Sequence, residues 1–286
     1  HLNPNRSAMQ RYNLRRNFSI VSVLAATLVL FAGCNQKQSE GDQKDQDTTA
    51  SELSLKPVSF KQFPDAKLSL KAPNLNNLTP AKTLFEFKVE NYELGTQTPD
   101  KTQFDIANSG KGQHIHFILD NKPYSAHYEP KAEKELAAGH HVLLAFLSRS
   151  YHASLKKPGA SLVKEFTVGP ENKETKQADE AFDPESPHLF YSRPKGEYTI
   201  QGERGDIMLD FFLMNAKLSP EGYKVKATIN GQAFTIDEWK PHLIKNVEAG
   251  QHTIKLVLED ADGKPVDSPF NPVERSILVS SEEPTS

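Results

Sequence analysis

The chain repeats itself, and that duplication constrains its fold more than any local propensity does. The run from Leu84 to Leu94 lies over that from Met208 to Leu218 without a gap, sharing an acidic residue and an Asn-x-x-Leu ending. Gln113 to Tyr124 lies over Tyr223 to Phe234, and Leu136 to His141 over Val247 to His252. Three blocks in one order mean two copies of one domain, expected at 53–169 and 188–281, with a charged, proline-flanked linker at 170–187 and a short tail at 282–286. The first copy carries an extra loop from about Thr96 to Gly112.

Each block reads as strand. Between Tyr223 and Ile229 the apolar residues Val225, Ala227 and Ile229 alternate with Lys224, Lys226 and Thr228, and the run stops at Asn230-Gly231, a strong hairpin signal. Short strands at regular spacing without a helical period predict an all-β chain of two antiparallel sandwiches in tandem. The order strand, Ala-Gly-x-His, strand, then Asp260-Ala261-Asp262-Gly263 resembles the immunoglobulin-like and fibronectin-like modules of bacterial surface proteins. That resemblance implies a fold and no chemistry.

Duplication also supplies an internal control, because residues in both copies are structural and those confined to one are candidates for function. His141 and His252 are shared, so they are expected to satisfy backbone groups where a strand begins. The alignment puts Ile115, Phe117, Leu143, Ala145 and Leu147 in the core of the first copy. His114, His116 and Ile118, and likewise His140, Val142, Leu144 and Phe146, then point outward. Histidines two apart on a strand share a face, so His114, His116 and His140 are the candidate ligands for zinc or copper, with His127 and His152 as further members. The apolar stripe beside them must be covered by a neighbour or used.

A second cluster follows, in which Ser148, Arg149, Ser150, His152 and Lys156 replace an acidic turn of the second copy. Such a set can hold a phosphate or carboxylate, the arginine by a two-pronged fork, or can be a solvated hairpin. This run, with Gly112 to Asp120 and Gly139-His140-His141, resembles a set of envelope lipoproteins of Bacteroidota, some of which carry the label phosphopeptide-binding. The resemblance implies an anionic or protein ligand and no catalytic residues.

The address is read at the other end. Arg11, Arg15 and Arg16 precede an uncharged apolar run from Phe18 to Gly33, shorter than a membrane-spanning helix needs. It closes in Leu30-Phe31-Ala32-Gly33-Cys34, which resembles a bacterial lipobox. Residues 1–33 are therefore expected to be a signal peptide, with Met9 the expected start, Cys34 lipidated and 34–52 a polar tether. Lipid on Cys34 would be the membrane anchor, and Asn35 after it favours the outer membrane over the inner. Removal of four arginines with the leader leaves 30 of 34 basic residues against 37 acidic ones, a net of −7. That balance argues against nucleic acid as partner.

No Gly-x-Ser-x-Gly elbow, His-Glu-x-x-His pair, phosphate-cradling glycine loop or dinucleotide fingerprint occurs. Asp260 and Asp262 lack the other ligands of a calcium loop, and Trp239 and Tyr191 read as core or interface aromatics. The expectation is no enzyme and no fixed cofactor. A binding or scaffold role stands first, metal binding second, and a hydrolase using Ser148, Ser150 or His152 last.

Overall fold

The computed structural model describes residues 52–170 and 182–282. The expected signal peptide, Cys34, nearly all of the expected tether, the middle of the expected linker and the last four residues lie outside the described residues. Those described belong to a single compact unit. Among them no helix is long and apolar enough to cross a membrane.

Strand β1 (Ser54–Pro57) opens the described chain, and the first copy then supplies β2 (Lys67–Ala72), β3 (Ala81–Glu90), β4 (His114–Leu119), β5 (Ser125–His127), β6 (Lys131–Leu136), β7 (Gly139–Ser148) and β8 (Ser161–Val168). They form two sheets in the orders β2-β3-β6 and β5-β4-β7-β8. The second copy supplies β9 (His188–Arg193), β10 (Gly196–Gln201), β11 (Arg204–Met214), β12 (Lys224–Ile229), β13 (Gln232–Ile236), β14 (His242–Glu248), β15 (Gly250–Glu259) and β16 (Val273–Glu282). Its sheets run β1-β14-β11-β9 and β10-β16-β15-β12-β13. All pairings are antiparallel except β10 with β16. The all-β, immunoglobulin-like and fibronectin-like fold is thus present twice.

Local chemistry explains the strands. In β12 the alternation buries Val225, Ala227 and Ile229, and Asn230 and Gly231 both take positive φ (49° and 86°), as a two-residue primed turn into β13 requires. In the first copy Ile115, Phe117, Leu143, Ala145 and Leu147 fill the sandwich interior with Phe85 and Phe166. The equivalent interior of the second copy gathers Leu209, Phe211, Leu256 and Leu258. Segment Ser54–Pro57, expected with the first copy, instead hydrogen-bonds along β14 of the second.

The outward stripe is covered. Ile118, Val142, Leu144 and Phe146 pack with Phe182 of the linker and Phe190 and Phe212 of the second copy in a third apolar core, Phe146 stacked on Phe212 at 5.6 Å between ring centroids. Burying such a side chain is worth roughly 1.5–3 kcal/mol relative to leaving it in water. The face with β4 and β7 is therefore an internal seam between the two sandwiches, and the polar residues it carries are enclosed with it.

Candidate metal centre

Strand β4 starts just after Gly112, whose φ is +87° and on which a Cβ would lie 2.6 Å from the Thr96 carbonyl oxygen. Only glycine lets the loop of 96–112 close on its own base. The Gly112 carbonyl accepts a 2.8 Å hydrogen bond from His114 Nδ1. That bond fixes the tautomer: Nδ1 carries the hydrogen and Nε2 a bare lone pair.

His114 Nε2 lies 2.9 Å from His116 Nε2. His116 is fully buried, its ring stacked 3.6 Å from that of Tyr124, with Nδ1 3.4 Å from Ser192 Oγ on β9 of the second sandwich. His152 comes from the turn after β7, closed by hydrogen bonds from its own amide to the Arg149 carbonyl and from the Arg149 amide to the Ala153 carbonyl. It sits at φ +69°, a left-handed conformation. Its Nδ1 is 3.1 Å from His114 Nε2 and 3.4 Å from the Tyr124 hydroxyl.

The three nitrogens His114 Nε2, His116 Nε2 and His152 Nδ1 lie within 4.8 Å of one another. Hydrogen bonding accounts for this poorly, because one sp² lone pair on His114 faces two other ring nitrogens. A metal ion would use all three. Bonds of about 2.0–2.1 Å at tetrahedral angles set nitrogens about 3.3 Å apart, a value the observed spread brackets. Burial lowers the His114 pKa to about 4 against the opposing bond to Gly112, and burial is also the first cause holding His116 and His152 well below the ordinary imidazole range. All three are neutral near pH 7, the form that ligates.

The first copy's extra loop braces this centre. Thr98 Oγ1 accepts from the Ser150 amide, Ser150 Oγ accepts from the Thr98 amide, and the Gln113 amide donates to the Thr96 carbonyl. The loop's Phe104 packs on Tyr151 beside His152, and Ile106 joins the same apolar cluster.

Two of the three candidate metal ligands are brought together, and the third is corrected. His114 pairs with Ser148 in the β4–β7 register, which leaves His140 eight residues down β7, roughly 26 Å away at about 3.3 Å per residue. His140 Nε2 instead lies 3.6 Å from a Glu165 carboxylate oxygen. His152, expected both as a further member of the histidine group and among the anion ligands, stands beside His114 and His116 where His140 does not. His127 stays apart on β5, its Nε2 2.8 Å from Ser125 Oγ.

The anion set is corrected too. Arg149 is buried, and its guanidinium donates to the backbone carbonyls of Lys61, Ala153 and Ser154. Lys156 donates to Asp210 Oδ1 (2.6 Å), the Phe211 carbonyl (2.6 Å) and Ser154 Oγ (3.0 Å), joining the two sandwiches. Ser148 Oγ donates to the Arg149 carbonyl. These donors hold chain segments together, so the fork expected to grip a ligand grips the protein's own backbone. A neighbouring cavity of about 180 Å³ between the sandwiches is bordered by these committed groups.

Among the described residues neither Ser148 nor Ser150, named for the hydrolase reading, hydrogen-bonds to His152; Ser148 Oγ donates to the Arg149 carbonyl and Ser150 Oγ accepts from the Thr98 amide. Ser125, which sequence reasoning passed over, does contact His127 and Lys134 Nζ. Burial lowers the His127 pKa to about 4, which makes it a weak base at neutral pH.

No family model matches this chain, and no curated protein matches it. Among solved structures it is similar to the fibronectin(III)-like modules of Clostridium thermocellum CbhA, at 14% identity over 75% of this chain and 94% of that one, with a TM-score of 0.27. A Bacteroides ovatus SGBP-B from a mixed-linkage glucan utilization locus, in complex with a mixed-linkage heptasaccharide, is similar at 11% identity over 81% and 71%, TM-score 0.21. A two-domain fibronectin type III segment of chicken tenascin is similar at 9% identity over 74% and 98%, TM-score 0.21. Scores this low carry no argument about function, and the fold rests on the strand pairing itself.

Proposed function

We propose that this chain is a cell-envelope lipoprotein, held to the outer membrane by lipid on Cys34, that acts by binding and takes a zinc or copper ion through His114, His116 and His152. The observation that carries the reading is the convergence of three neutral imidazole nitrogens on one point, with the His114 tautomer set by the Gly112 carbonyl. Imidazole is a good ligand for both metals. His114 and His152 belong to features the second copy lacks, which is where a function acquired after duplication is expected. The two sandwiches, at 53–169 and 188–281, then serve as walls: the first supplies every ligand and the second encloses them.

The test is calorimetric titration of residues 52–286 with zinc and then copper, beside a His114→Ala/His116→Ala variant and the more conservative His152→Asn. Stoichiometric, submicromolar binding lost in both variants supports the reading. Binding that is absent, or unchanged in both, overturns it. Incorporation of labelled palmitate, lost on Cys34→Ala, tests the anchor.

A further inference from the structure

The charges around the histidines do not balance. Three neutral imidazoles bring no negative charge to a divalent ion, and the cations Arg193 and Lys195 both act on His116 and His152. Arg193 is buried, its Nε and Nη2 donating to the Tyr198 hydroxyl. Lys195 places Nζ 4.0 Å above the ring of Tyr124, the same ring that stacks on His116, and donates to the Tyr124 carbonyl. Lys134 donates to Ser125 Oγ on the adjoining strand. Among the described residues none of these three forms an ion pair with a carboxylate, although the charge of Asp210 helps to raise the Arg193 pKa. Asp210, paired with Arg193 in the β9–β11 register, is already taken by Lys156 and by the Ser154 amide.

Positive charge of this density, half enclosed, is costly without a counter-ion. Three protein ligands also leave a zinc-type ion one position short of four-coordinate. One group resolves both: an anion bound to the metal. Resting on the metal reading above, we propose that this site takes its ion together with a small oxyanion, phosphate or carboxylate in class, which fills the open coordination position and is held by the charge of Lys195 and Arg193. The partly exposed His152 and Lys195 mark the side from which it enters. Tyr124, with its hydroxyl 3.4 Å from His152 Nδ1, offers a neutral donor on the same side.

The experiment loads residues 52–286 with Co(II), whose visible bands report coordination, and titrates phosphate and then acetate at constant ionic strength, with a protein-free titration as control. We expect the bands to shift and saturate at one anion per metal. Apparent metal affinity should rise about tenfold at saturation, and the metal should raise anion affinity by the same factor. Lys195→Gln, at a partly exposed position, should weaken the anion about tenfold while leaving anion-free Co(II) affinity unchanged or higher. Co(II) binding with bands and affinity indifferent to both anions overturns this inference and leaves the metal reading standing. An anion effect untouched by Lys195→Gln overturns the assignment of Lys195, and absence of Co(II) binding overturns both proposals together.

Discussion

His152 is held left-handed at φ +69°, where asparagine is better tolerated than most residues, and its imidazole is enclosed without charge. Replacing it by Asn is expected to leave stability unchanged or raise it by on the order of 1 kcal/mol, a few degrees in Tm, while metal affinity falls at least tenfold. Thermal unfolding and calorimetry on one sample check both halves. His141 and His252 show how one neighbour sets a charge. Each donates from Nε2 to a carbonyl four residues back, Ala137 or Glu248. His141 also donates from Nδ1 to the Asp120 carboxylate, whereas His252 accepts at Nδ1 from the Asn230 amide. His141 thus needs both protons, and the hydrogen bond to Asp120 raises its pKa above 6.5. The folded state binds this proton more tightly than the unfolded chain, so the contribution is complete below pH 6.5 and is lost as pH rises through the raised value. Asp120→Asn copies the second sandwich and is expected to remove that slope, with the His141 NMR titration moving to lower pH.

At the scale of elements, β4 and β7 are strands with two buried faces. Their inner face fills a sandwich and their outer face fills the seam. The seam is also pinned by Lys156, from the turn after β7, on Asp210 of β11, whose carboxylate is fully buried. Lys156→Met strands that carboxylate and is expected to cost about 3–5 kcal/mol, whereas Lys156→Met with Asp210→Leu should recover most of the loss. Urea unfolding of the two variants decides this. Equal destabilisation would mean that the pair itself, and not the stranded charge, sets the cost.

At the scale of the molecule, Phe146, Phe212 and Lys156 tie the sandwiches together, and β1 returns the start of the described chain to the second one. A shared interior of this kind predicts one cooperative heat-absorption peak, with calorimetric and van't Hoff enthalpies in agreement. Two separated peaks would show that the halves fold independently and that the seam is weak. On the acid side, burial depresses the pKa of His127, His188 and His242, so the unfolded chain takes up protons first as pH falls below 6.5. Stability is then expected to fall from pH 6.5 towards 4, opposite in sign to the Asp120–His141 contribution.

The sequence by itself determined the two sandwiches, because alternation and turn chemistry are local and duplication states them twice. It also determined which faces of β4 and β7 are which, since a strand's period of two leaves no other choice. It could pair His114 with His116, two residues apart on one strand. It could not place His140, because both His140 and Ser148 lie on β7 and only the inter-strand register says which of them stands beside His114. Nor could it decide between His127 and His152 as the further member, or see that Arg149 donors are spent on Lys61, since those contacts join segments far apart in the chain. Tertiary packing alone decided that the outward face would be enclosed. That enclosure keeps the imidazoles neutral, gathers cations about them, and so makes this strand face a candidate binding site.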